Sequence, residues 1–258
     1  MSRINMKLAC VFLLLSAMTA IANATSHVFV RNEQGVWLAS DSLVIHRDGM
    51  RVTRSKQCKV SITRGRVFFN AGSFKNMKLL LYQESDLTLD SFENTTPTVL
   101  ELLKNNRSDF RDDPHYSQNR SVVVNTGILQ VKNSVFRAEM IGWTDSLAVS
   151  RNPILDFKVG IPHGFGESVD RVRDAAAKDP KLAARIASHP KEELLKILKE
   201  ESIMHRATVG EPFTVFLLHI DGTVSDFSDQ KVCEIPDNAQ HSESSNKTSN
   251  DVKTDRHR

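Results

Sequence analysis

The chain has 258 residues, with 34 Lys and Arg against 31 Asp and Glu. That length suits one sizeable domain with a full core, and the near-balanced charge gives no electrostatic case for nucleic acid or a strongly anionic membrane. Past residue 24 no apolar run approaches membrane-spanning length, so no membrane partner is expected once the first segment is removed.

The chain opens as a secretory leader. A short basic region (Arg3, Lys7) precedes an apolar run from Leu8 to Ile21, and the run closes on small residues at Ala22 and Ala24. Cleavage after Ala24 places the protein in a secreted or periplasmic compartment and makes Thr25 the first residue. Thr25 then carries a free α-amine and a hydroxyl, a nucleophile and a base on one residue. Cys10 leaves with the leader. Cys58 and Cys233 remain, either as a disulfide or as two separate small core residues, and spacing alone does not decide between them. N-x-S/T tripeptides begin at Asn94, Asn106, Asn119 and Asn246.

Short β-like runs follow at His27–Arg31, Val36–Ser40, Lys59–Thr63 and Arg66–Phe69, with Arg64-Gly65 as a tight hairpin turn between the last two. Phe74, Met77, Leu80 and Leu81 recur at helical spacing and predict a helix to about Glu84. A shorter helix is expected over Thr98–Lys104, then a polar loop over Asn105–Gln118. Strand signals return at Ser121–Asn125, Ser134–Trp143 and Asp156–Gly160. Helices are expected over Glu167–Lys178 and Lys191–His205, the second with Leu194, Leu195, Leu198 and Ile203 on an apolar face. The strands Phe213–His219 and Thr223–Phe227 turn through Asp221-Gly222. From Pro236 the chain reads as a polar disordered tail over 236–258, which leaves 25–235 as the domain. Too few βα alternations occur for a parallel sheet, so the pattern favours two antiparallel sheets between helix layers, an α+β sandwich.

Several of these segments resemble proteasome β-subunits and the bacterial proteasome-like heat-shock peptidase. Gly35-Val36-Trp37-Leu38-Ala39-Ser40-Asp41-Ser42 is similar to that family's G-V-x-x-A-x-D-S signature, with Asp41 sixteen residues after Thr25. Cys58-Lys59-Val60-Ser61-Ile62 resembles its lysine-bearing strand, displaced by two residues. Asn70-Ala71-Gly72-Ser73 resembles its A-G turn, and Phe213–Gly222 its closing hairpin. The resemblance implies a four-layer αββα sandwich and an N-terminal-threonine amide hydrolase acting on peptides. It implies Thr25 as nucleophile, Lys59 as the cation beside the hydroxyl, Asp41 as the partner that holds Lys59, and the Gly72 N–H as oxyanion donor. The family's supporting serine turn reads here Val159-Gly160-Ile161-Pro162-His163-Gly164-Phe165-Gly166, where His163 is the candidate replacement. Its later Asp-x-x-Ser-Gly has no counterpart in Met204–Gly210.

The nine histidines show no metal-ligand spacing, and no phosphate-binding glycine loop occurs, so neither metal nor cofactor is expected. A homo-oligomer is expected from the apolar face around Leu194–Ile203 and the low net charge. Two alternatives stand beside the peptidase reading: a catalytically silent scaffold or assembly protein on the same fold, and a small-molecule amidase or acylase.

Overall fold

The computed structural model describes residues 25–48, 51–72, 123–144, 149–154 and 157–240. Twelve strands and three α-helices are present among them. The first sheet contains β1 (His27–Arg31), β2 (Gly35–Asp41), β10 (His163–Phe165), β11 (Phe213–His219) and β12 (Val224–Asp226), in the order β10-β1-β2-β11-β12. The second runs β5-β6-β7-β8-β9, from β5 (Val60–Thr63), β6 (Arg66–Gly72), β7 (Val123–Lys132), β8 (Val135–Thr144) and β9 (Val149–Ile154). Between them in sequence lies a separate hairpin of β3 (Leu43–Asp48) and β4 (Arg51–Lys56). Every strand pairing in the three sheets is antiparallel.

Alternation along β1 and β2 builds the layers, because successive side chains of a strand point to opposite faces. Phe29, Val36, Leu38, Phe216 and Leu218 face the second sheet and pack with Val60, Ile62, Val67, Phe69, Leu129 and Phe136. Their neighbours Val28, Val30, Trp37, Ala39, Val215 and Leu217 face the opposite way. There they meet Val169 and Ala176 of α1 (Glu167–Ala176), Ile186 of α2 (Pro180–Ser188), and Leu194, Ile197 and Leu198 of α3 (Pro190–Met204). A central sheet buried on both faces explains why β2 is buried at all seven positions. The result is an α+β sandwich of two facing antiparallel sheets, with helices over the outer face of the first. The helices expected near 74–84 and over 98–104 lie outside the described residues.

Two turn glycines join the sheets at one end. Gly65 and Gly222 both take left-handed backbone conformations (φ 76° and 85°), and the Gly65 N–H donates to the Gly222 carbonyl at 2.7 Å. Both turns fall where the sequence predicts them.

Four expectations are corrected. The strand expected over 156–160 does not form: the described part, 157–160, contributes only an isolated bridge between Arg31 and Val159, and the ladder resumes as β10 after Pro162, which has no N–H to donate. A third helix, α2, separates the two that were expected. Its signature is Asp179-Pro180: the Asp179 carboxylate accepts from the Lys181 N–H at 2.9 Å and Pro180 opens the helix. Order continues past Pro236, where Asp237–Ala239 forms a 3-10 turn, Ala239 is fully buried and Gln240 bridges to Val224. Finally, Leu194 and Leu198 are core residues, so the α3 face on which association was expected is used inside the chain; Ile203 and Met204 remain exposed. No helix among the described residues is long and apolar enough to cross a membrane.

Candidate active site

The site forms where the two sheets meet beside the start of β1. Asp41 closes β2, and Thr25 precedes β1, the neighbouring strand. Lys59 immediately precedes β5 of the opposite sheet and reaches across to both. Its Nζ lies 2.7 Å from Asp41 Oδ2 and donates to Thr25 Oγ1 at 3.1 Å. Thr25 and Lys59 are each 2% exposed and Asp41 is 0% exposed. Three residues separated in sequence thus meet in a buried cluster shielded from water.

Backbone groups fix the carboxylate. The Ser26 N–H donates to Asp41 Oδ1 at 2.8 Å and the Leu43 N–H to Oδ2 at 3.2 Å, while the Asp41 N–H donates to the Ser26 carbonyl. Ser26 therefore couples the residue after the candidate nucleophile directly to Asp41. The Ser26 hydroxyl donates in turn to the Phe165 carbonyl at 3.0 Å, tying the start of β1 to the end of β10.

Burial dominates the electrostatics. Desolvation drags the Lys59 ammonium below the ordinary lysine range, and the Asp41 charge and hydrogen bond oppose that fall. Desolvation likewise pushes Asp41 up, against Lys59 and the backbone donors. Each ion is tolerable at this buried position only because the other is present. The arrangement presents a cation to the Thr25 hydroxyl, which lowers the cost of an alkoxide there.

The other expected residues sit as follows. Gly72 is the last residue of β6, with its backbone opposite Val124 of β7. The β5–β6 register pairs Val60 with Phe69, so Lys59 and Gly72 belong to the same end of the second sheet. His163 is opposite Phe29 in the β1–β10 ladder, four residues along from Thr25. Its ring stacks on Phe29 at 5.9 Å and meets Phe157 edge-on. Burial, followed by the charge of Arg173, lowers its pKa to about 4. His163 is thus a neutral ring in an aromatic cluster, and the residues that approach the start of β1 are Phe165, which ends β10, and Gly166, which precedes α1.

Two contributors were not anticipated. One is the Ser26 hydroxyl. The other is Glu201 of α3, whose side chain is fully buried. Its Oε1 accepts from the Glu167 N–H at 3.2 Å and its Oε2 from the Ser168 N–H at 2.7 Å, so it satisfies the first turn of α1. A Cβ on Gly166 would lie 2.8 Å from Ser26 Oγ and 3.1 Å from Glu201 Cδ, so only glycine fits between the helix end and the start of β1. A sequence signal for Glu201 exists: it continues the stripe Leu194, Ile197, Leu198 at helical spacing, a carboxylate in a row of core residues. Among the described residues no group of His, Cys, Asp and Glu is arranged to hold a metal ion.

The cysteines left open by the sequence form a bond. Cys58 and Cys233 are joined with their Cα atoms 4.9 Å apart, and Cys58 is the residue immediately before Lys59.

No family model matches the chain, and no curated protein matches it. Among solved structures it is similar to the Anbu (Gly-1) mutant from Hyphomicrobium sp. strain MC1, at 14% identity and TM-score 0.46, covering 80% of this chain and 88% of that one. It is similar to Anbu (ancestral beta-subunit) from Yersinia bercovieri, at 14% identity and TM-score 0.46, over 80% and 87% of the two chains. A further Anbu structure from Hyphomicrobium sp. strain MC1 gives 15% identity and TM-score 0.45 over 80% and 88%. Likenesses this distant assign neither family nor activity. The membership of the proteasome β-subunit and heat-shock peptidase family implied by the short motifs is therefore corrected: those motifs do not extend into a match to any family model.

Proposed function

We propose that this protein is an exported amide hydrolase that uses Thr25 as an N-terminal nucleophile, with peptides as its substrates. The observation that carries the reading is the Lys59 ammonium, held 2.7 Å from Asp41 and 3.1 Å from Thr25 Oγ1. A hydroxyl, a cation to stabilise its alkoxide and a carboxylate to hold the cation are brought together from two sheets. The Cys58–Cys233 bond supports export, since such bonds form and persist in oxidising compartments.

In the uncut chain the Thr25 nitrogen is an amide and cannot act as a base. Cleavage after Ala24 converts it to an amine with an ordinary pKa of about 7.7–8.0, able to accept a proton near neutrality. The amine takes the proton from Oγ1 as that oxygen attacks the substrate carbonyl. Lys59 stabilises the developing negative charge on Oγ1, and the Gly72 N–H receives the carbonyl oxygen. The amine then returns the proton to the leaving nitrogen as the C–N bond breaks, which leaves an ester on Thr25. Water, deprotonated by the same amine, hydrolyses the ester and restores the hydroxyl. Association of copies through the exposed end of α3 at Ile203 and Met204 belongs to the same proposal; a strict monomer by light scattering would remove that part.

Intact mass and N-terminal sequencing of the exported product test the reading. The expected product lacks residues 1–24 and begins Thr25-Ser26-His27. A product that retains Asn23-Ala24 would carry no free amine on Thr25 and would overturn it.

A further inference from the structure

Lys59 is the residue of the site with the weakest intrinsic hold on its place. A buried ammonium is drawn toward water, and its retention depends on its partner and on a fixed backbone. Yet Lys59 lies just outside β5, and residues 57–59 belong to no strand. Besides the Lys59–Asp41 contact, two links tie this segment to distant parts of the chain. The Gln57 N–H donates to the Ser42 carbonyl at 2.9 Å, which ties it to the residue after Asp41. The second link is covalent, the bond from Cys58 to Cys233. Cys233 is itself anchored, 6% exposed in the core between the sheets together with Val60, Val224 and Ala239. The closing segment ends in the bridge between Val224 and Gln240.

We infer that the Cys58–Cys233 bond is a redox switch for the site, and that Cys58 and Cys233 are positioning residues for Lys59. The inference rests on the proposed role of Lys59 beside Thr25. With both cysteines as thiols, the backbone next to Lys59 loses its covalent anchor and the ammonium moves toward solvent, away from Thr25. Oxidation assembles the site. The bond forms by exchange with the disulfide of an oxidised dithiol partner. One cysteine thiolate attacks that disulfide to give a mixed disulfide, and the second displaces the partner, which leaves as a dithiol carrying the two electrons. Before export the chain is then silenced twice, by the amide on Thr25 and by the displaced Lys59.

The test uses protein beginning at Thr25, oxidised, reduced with a dithiol reagent, and reoxidised with oxidised glutathione. Three quantities are read: turnover of an amide substrate, acylation of Lys59 by an amine-reactive ester mapped by mass spectrometry, and near-ultraviolet circular dichroism. Reduction is expected to cut kcat about a hundredfold, the scale of losing one group that stabilises the transition state. It is expected to expose Lys59 to acylation while the near-ultraviolet signal persists. Residual activity should show its alkaline limb at higher pH, because relief of desolvation raises the Lys59 pKa. Reoxidation should reverse all three. A folded, reduced protein with unchanged turnover and a protected Lys59 would overturn the inference. Loss of activity only in step with global unfolding would also overturn it, since the bond would then be a stability element alone. The acylation measurement needs no hydrolysis, so an oxidised protein with no activity but with redox-dependent Lys59 protection would refute the proposed function and not the switch.

Discussion

Thr25→Ala is expected to lower amide hydrolysis by at least about a thousandfold, the scale seen when a nucleophile acting with its partners is removed. Folding should survive. The substitution removes one buried hydroxyl that accepts a hydrogen bond from Lys59, while the shorter Lys59–Asp41 contact is retained. Loss of such a bond typically costs about 1 kcal/mol, which chemical denaturation can measure. Separate stability and rate measurements distinguish this outcome from a general collapse. Turnover equal to that of the unaltered protein would place the activity at another residue.

Asp41 and Lys59 should be strongly coupled. Asp41→Asn leaves a buried ammonium without its counter-ion, and breaking a buried pair in this way costs about 3–5 kcal/mol. Lys59→Met removes the cation at similar volume. The double substitution is expected to recover most of the stability lost in Asp41→Asn, so that the two changes are far from additive. Activity should be non-additive as well: each single change disables the site, and the second adds little. In the unaltered protein the pH profile should be bell-shaped. Its acid limb reports protonation of the Thr25 amine. Its alkaline limb reports Lys59 and lies below the ordinary lysine range, because burial lowers that group. Additive stability losses in the cycle would show that the 2.7 Å contact does not hold Lys59 in solution.

The sequence announced most clearly the parts of the molecule governed by a single local rule. Strands β1, β2 and β11 were legible because runs of Val, Phe, Trp and Leu fill their middles, and the Gly65 and Gly222 turns because positive φ favours glycine. Asp41 and Lys59 were legible through short motifs measured from Thr25. Elements governed by pairing rather than composition were missed. The β3–β4 hairpin returns through Arg51, Arg54 and Lys56, a basic run with little apolar alternation, and its ladder is made only with itself. Strand β9, to which the sequence reading assigned no element, contains Pro153 and lies at the edge of its sheet, where proline is tolerated. The parts of the site contributed by Ser26 and Glu201 depend on contacts with Phe165 and with α1, far away in sequence, which no local pattern encodes. His163 shows the converse. A motif position suggested a supporting role, and the β10 register instead places its ring against Phe29.

Whether Thr25 acts through its own amine is decided most directly by one comparison. The same domain is prepared in two forms, one beginning at Thr25 and one retaining a single additional residue, Ala24. Both keep the Thr25 hydroxyl, Lys59 and Asp41; the added Ala24 converts the Thr25 nitrogen from an amine to an amide. Hydrolysis of a panel of fluorogenic peptide amides is then measured for each. The Thr25 form is expected to turn over and the Ala24 form is not; equal turnover by the two would show that the amine of Thr25 plays no part.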